Sequence, residues 1–130
     1  SWASKLQSQV ALSTTEAEYI AMSQALRDVI PVMNLLQEMR ERQFPVICNE
    51  PYVYCKVFED NSGALELARL PKLRPRTKHI NVCYHHFCEH VRKGLIKIFP
   101  VDTKDQIADA LTKALAQNDF QRHRRFLCGK

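Results

Sequence analysis

Several things are missing from this sequence, and each absence narrows what the chain can be. Its five cysteines, Cys48, Cys55, Cys83, Cys88 and Cys128, form no CxxC pair and no dense framework. That excludes a small disulfide-stapled fold and predicts reduced thiols in an intracellular setting. No apolar run approaches the ~20 residues that span a bilayer, so no membrane partner is expected. No signal-peptide pattern opens the chain, no internal repeat recurs, and no low-complexity segment interrupts it. The chain starts on Ser1 rather than Met, which predicts a piece of a longer polypeptide.

What is present is ordinary in bulk and informative in pattern. A length of 130 residues fits one domain with a real core, and 45% hydrophobic with 25% charged residues fits a globular class. The net charge of +5 and a pI near 9.1 lean toward a polyanionic partner, most simply nucleic acid. Residues 53–60 alternate Val53, Cys55, Val57 and Glu59 with Tyr54, Lys56, Phe58 and Asp60. The mixture of β-branched and aromatic side chains predicts a strand, with Asn61 or Ser62 capping the helix that follows. Asp60 then stands at a carboxyl strand end, where ligands gather in open α/β sheets.

The remaining elements are read in order. Two short alternating pieces, within residues 2–6 and 10–12, include a partial strand. Ser13 with Glu16, and Thr15 with Glu18, both fit a capping box, and an amphipathic helix runs from there to about Arg42, with a bend expected at Pro31. Its apolar stripe passes through Met22, Ala25, Val29, Met33 and Leu36; one turn back from Met22 lies Glu18, an acid on the core-facing side. Glu18 admits two readings, a capping partner for Thr15 or a functional acid. Residues 43–52 form a loop, and the helix after Asp60 stops near Leu70, before Pro71. Residues 69–78 carry five basic residues and two prolines, which fits either a solvated linker or a phosphate-backbone contact.

Residues 79–93 are expected to be helical, with His79, Cys83, His86 and His90 on one face. Their i to i+11 spread covers about 16 Å of helix, too far for one helix to wrap around a single ion, so a mixed, partly buried face is expected rather than a zinc site. Gly94 ends that helix, and residues 95–99 form a continuous apolar strand of the kind buried in parallel sheets. Thr103 and Gln106 fit a capping box for a helix carrying Ile107, Ala110, Leu111, Ala114 and Leu115, with Asp109 off the stripe as a solvated acid. The basic tail, residues 120–130, is expected to be a short helix. The alternation of strands and helices implies an α/β layer fold with a parallel strand pair.

Four motifs in this order resemble the ribonuclease H domain of copia-type retrotransposon polyproteins. They are Val10-Ala11-Leu12-Ser13-Thr14-Thr15-Glu16-Ala17-Glu18-Tyr19-Ile20-Ala21, then Asp60-Asn61-Ser62-Gly63-Ala64, then Arg76 to Ile80 with Tyr84-His85, and last Asp105-Gln106-Ile107-Ala108-Asp109-Ala110-Leu111-Thr112-Lys113. The resemblance covers nearly the whole chain. It implies a single partial ribonuclease H-like domain over residues 1–130, with a parallel strand pair, a leftover third strand and flanking helices. It further implies hydrolysis of the RNA strand of RNA–DNA hybrids by two Mg²⁺ (or Mn²⁺) ions held on acidic side chains.

Carried over residue by residue, the catalytic and metal-binding acids fall on Glu18, Asp60 and Asp109. Ser13, Thr14, Thr15 and Asn61 match positions that meet the hybrid, with Arg76 and Lys78 as backbone contacts. The implied partners are the hybrid and the upstream reverse transcriptase region of the same polyprotein, in a cytoplasmic virus-like particle or the nucleus. The resemblance also marks a departure. The family's first strands, with its first catalytic aspartate, lie upstream of Ser1, no acid precedes Glu16, and residues 100–104 hold no histidine. Nothing is expected to replace the missing ligand, so the chain alone is expected to be inactive or nearly so. It would leave one edge of the Asp60 strand exposed. The alternatives are a catalytically silent nucleic-acid-binding remnant, using residues 69–78 and 122–125, and a helical interaction module on residues 13–42.

Overall fold

The structure, a computed structural model, describes residues 13–47, 49–69 and 86–129. Its longest element, α1 (Thr14–Glu41), begins where the capping signal lies: Ser13 is the N-cap and its Oγ accepts from the Glu16 N–H at 3.2 Å. Of the two overlapping boxes only the first caps. The Thr15 hydroxyl instead donates to Asn61 Oδ1 at 3.2 Å, which releases Glu18 from the capping role. Pro31 lies inside α1 without ending it. One missing donor at an exposed position is outweighed by the face that buries Tyr19, Ile20, Met22, Leu26 and Met33.

Strand β1 (Cys55–Glu59) pairs in parallel with β2 (Ile96–Pro100), Val57 opposite Ile98. The connection between them includes α2 (Ser62–Arg69) and the short α3 (Cys88–Arg92). Asn61 caps α2, its Oδ1 accepting from the Ala64 N–H at 3.0 Å. Gly94 takes φ 76° just beyond α3, the left-handed turn that lets the chain leave the helix for β2. The core is the face of α1 packed on α2 and one face of the sheet, with Tyr19 against Phe87 at 5.8 Å and with Ala64, Ala68, Ile96 and Ile98 buried. The molecule is thus a mixed α/β arrangement around a small parallel sheet, two-stranded among the described residues.

Two expectations need correcting. The apolar run of β2 predicted burial on both faces, yet Phe99 is exposed beside the exposed Phe58, ring centroids 5.9 Å apart. Only one face of the pair is covered among the described residues, so the strand alternates instead. The helix expected from Thr103 is two 3-10 turns, Thr103–Asp105 and Ile107–Leu111, with extended chain before α4 (Gln117–Cys128). Gln106, expected inside that helix, is extended at φ −71° and ψ 102° and breaks the run. Its side chain is used elsewhere, donating to the Phe58 carbonyl at 3.2 Å. The expected helix over residues 79–93 is described only as α3, with Phe87 at its N-cap.

Other expectations fall on residues the structure does not describe. The partial strand within residues 2–6, the basic loop beyond Arg69 with Arg76 and Lys78, and His79, Cys83, Tyr84 and His85 lie outside the described residues. Of the histidine face, His86 is exposed against the Phe87 edge, and His90 is half-buried with a buried Nδ1 that has no hydrogen-bond partner among the described residues.

Candidate functional site

The site forms where α1 begins and β1 ends. Glu18 sits one turn ahead of Met22 on the face of α1 turned to β1, and with Glu59 it lines an open groove of ≈ 350 Å³ between the two elements. Cys55, Val57 and Glu59 share the inward side of β1, and Glu59 is 6% exposed. Asp60 follows at the strand end. One carboxylate oxygen from each of Glu18, Glu59 and Asp60 lies within 4.8 Å of the others.

Carboxylates this close repel one another, and the innermost one shows it. Burial pushes the Glu59 carboxyl above its ordinary range, the Asn61 N–H donated to its Oε1 at 3.0 Å pulls back, and the Glu18 and Asp60 charges push up again. A site of this composition offers hard oxygen donors at close quarters, the set that divalent Mg²⁺ or Mn²⁺ prefers.

Asp109 lies outside that group of three, and it is not the solvated acid expected. It is buried, 8% exposed, in the second 3-10 turn, with Lys113 Nζ 3.0 Å from its Oδ1. The turn is fixed beside the end of β1 by the Gln106 bond to Phe58. The Lys113 proton is held more tightly than usual, first through the Asp109 hydrogen bond and further through the Asp109, Asp60 and Glu18 charges. Glu18 and Asp60 are thus brought together with Glu59, while Asp109 lies apart in the turn that Gln106 ties to the end of β1.

Of the polar residues expected at a nucleic acid, Asn61 adjoins this region through its N–H bond to Glu59, and Arg76 and Lys78 lie outside the described residues. Ser13 and Thr14 are exposed at the start of α1, and Thr15 is bonded to Asn61 across to α2. Gly63 lets the two segments meet, since a Cβ there would lie 2.8 Å from Thr15 Cγ2 and Oγ1.

Sequence reasoning missed two members. Glu59 was read only as part of an acidic strand end; its phase with Cys55 and Val57 was the signal that it points inward. Lys113 closes the last of the four motifs, and its i to i+4 spacing from Asp109 was the available clue.

Proteins similar to this chain include retrovirus-related Pol polyproteins of plant transposons. The chain is 40% identical over 121 residues to the Pol polyprotein from transposon TNT 1-94 of Nicotiana tabacum. To those from transposons RE1 and RE2 of Arabidopsis thaliana it is 37% and 36% identical over the same length. The matches take in 93% of this chain, which spans only 8% of the length of each of these curated relatives. No family model matches the chain, and no solved structure does. No helix among the described residues is long and apolar enough to cross a membrane.

Proposed function

We propose that this chain is the acid-bearing part of a ribonuclease H domain of a copia-type retrotransposon polyprotein, acting on the RNA strand of RNA–DNA hybrids. The observation that carries the reading is the convergence of Glu18 and Asp60, from separate elements, with a third carboxylate, Glu59, on the same spot. Similarity to plant Pol polyproteins along 93% of the chain supports it, because copying RNA into DNA produces such hybrids.

Three carboxylates of hard oxygen fit a Mg²⁺ or Mn²⁺ ion, so Glu18, Glu59 and Asp60 would hold it, with Asp109 alongside. When bound, the metal supplies charge stabilisation at a transferring phosphate and lowers the pKa of water. The chain's own groups do the rest. The hydroxyls of Ser13, Thr14 and Thr15 and the amide of Asn61 would meet the hybrid where 2′-hydroxyls distinguish RNA from DNA. Ser13 Oγ accepts from Glu16, which leaves its proton to donate. Arg76 and Lys78 would contact the phosphate backbone. Glu59 adds a third carboxylate to Glu18 and Asp60 at the end of β1, and weak cleavage by this chain alone is the expected outcome. The upstream reverse transcriptase region of the same polyprotein is the natural partner, in a virus-like particle or the nucleus.

The test is incubation of the chain with a labelled RNA–DNA hybrid and Mg²⁺. Slow cleavage of the RNA strand, abolished by Asp60→Asn, supports the proposal. Hybrid affinity that falls steeply with salt, with no metal dependence and no cleavage, would instead mark a silent nucleic-acid-binding remnant.

A further inference from the structure

The outer face of the sheet belongs neither to the core nor to the acid site. Side chains alternate along β1, so Cys55, Val57 and Glu59 turn inward and Lys56 and Phe58 turn out. The parallel register sets Lys97 opposite Lys56 and Phe99 opposite Phe58. Tyr54, one residue ahead of β1, joins them: Lys97 Nζ lies 4.4 Å from the centre of its ring and Lys56 Nζ 5.8 Å. About 13 Å further along the strand, the Phe58 and Phe99 rings sit 5.9 Å apart at 31° to one another. Phe58 is 56% exposed and Phe99 39%. No acid lies among residues 54–58 or 96–99.

We propose that this face is a platform for single-stranded nucleic acid, the Phe58 and Phe99 rings stacking on bases while Lys56 and Lys97 meet the phosphates. Two exposed phenyl rings alone would suit any apolar partner. Two ammoniums beside them, with no acid on either strand's outer side, add complementarity to a polyanion. A chain that carries a flat ring and a negative charge on every unit satisfies both demands. In a duplex the bases already stack on one another, so the partner is a single strand. The Tyr54 ring holds the ammoniums over the face, where a phosphate can reach them. Glu59 points to the opposite side of the sheet, so this binding needs no metal and does not depend on the acid site.

Fluorescence anisotropy of a labelled oligothymidine of about 12 nucleotides, titrated in EDTA with the 130-residue chain and its variants, tests this. Phe58→Ser should weaken binding about fivefold or more, the scale of one stacked base. Phe58→Trp, which keeps a flat ring, should bind at least as tightly as the parent. Lys56→Gln should lower the slope of log affinity against log salt by about 0.7, one phosphate contact fewer. Urea midpoints check that each variant is folded; should Phe58→Ser not fold, the other two carry the test. No binding by the parent chain, or unchanged affinity in both Phe58→Ser and Lys56→Gln, overturns the platform. Unchanged affinity together with a dimer that Phe58→Ser splits would give the face to a second copy of the chain. An equal loss on a DNA duplex overturns the stacking role. Because EDTA removes divalent ions, none of these outcomes bears on hybrid cleavage.

Discussion

Glu59 holds the tightest constraints of any residue at the site. Its carboxyl is inside the protein, bonded to the Asn61 N–H, and faces two further carboxylates. Because its folded pKa is raised above the ordinary 4.5, the folded chain binds this proton more tightly than the unfolded chain does. Stability from this group is therefore greatest at low pH and declines as pH rises from that ordinary value through the raised one. Without metal, the Tm of the parent chain should fall relative to Glu59→Gln across this window, and parallel Tm curves for the two would sink the argument. Gly63 makes a second prediction at this scale. A methyl there must displace Thr15, which breaks the Thr15–Asn61 bond. Gly63→Ala should cost about 1–3 kcal/mol in denaturant unfolding, the usual range for overpacking, despite alanine's better helix propensity.

Among the elements, α1 shows how packing overrides a local fault. Its 28 residues run through Pro31, whose missing N–H leaves the carbonyl one turn back without its helical donor. The position is exposed, so Pro31→Ala restores that bond without disturbing the core and should stabilise the chain by about 1–3 kcal/mol. An unchanged or lower urea midpoint would contradict it. The segment around Asp109 shows the reverse case. Its apolar residues fit a helix on paper, but Gln106 leaves helical backbone and its amide bonds the edge of β1. The backbone bonds of β1 alternate: Cys55 donates to Leu95 and Glu59 accepts from Val101, so Phe58 points its carbonyl at the opposite edge. Gln106 satisfies that acceptor, and Arg69 does the same for the Ile98 carbonyl on the far edge of β2. Two side chains thus engage the edges of a sheet with only one pairing among the described residues.

At the scale of the whole molecule, one face of the sheet is buried and the other is exposed among the described residues. Leu26, 2% exposed, lies in the core, whereas Phe58 is 56% exposed on the outer face. Leu26→Ala should cost about 2–5 kcal/mol, transfer and cavity terms together. Phe58→Ser should cost less than about 1 kcal/mol by the same unfolding assay. Comparable losses would mean that the outer face is covered in solution. The net charge of +5 acts at this scale too. It favours a polyanion in general, while the acids at the end of β1 repel one locally, and a divalent cation between phosphate and carboxylate would reconcile the two.

The sequence by itself determined the elements whose signals are local. A serine cap three residues ahead of Glu16 starts α1, the Asn61 side chain opens α2, Gly94 turns the chain out of α3, and an apolar strand follows each turn-prone stretch. It also placed Glu18 on the inner face of its helix, because that needs only a period of 3.6 residues. What it could not supply was anything set by distance across the chain. By sequence Thr15 had Glu18 as its capping partner, and only the approach of α2 at Gly63 gave it Asn61 instead. Asp109 read as a solvated acid until the Gln106–Phe58 bond fixed its turn beside β1. Glu59 joined Glu18 only once α1 lay across β1, since a carboxylate's neighbours depend on packing between elements 41 residues apart in the chain.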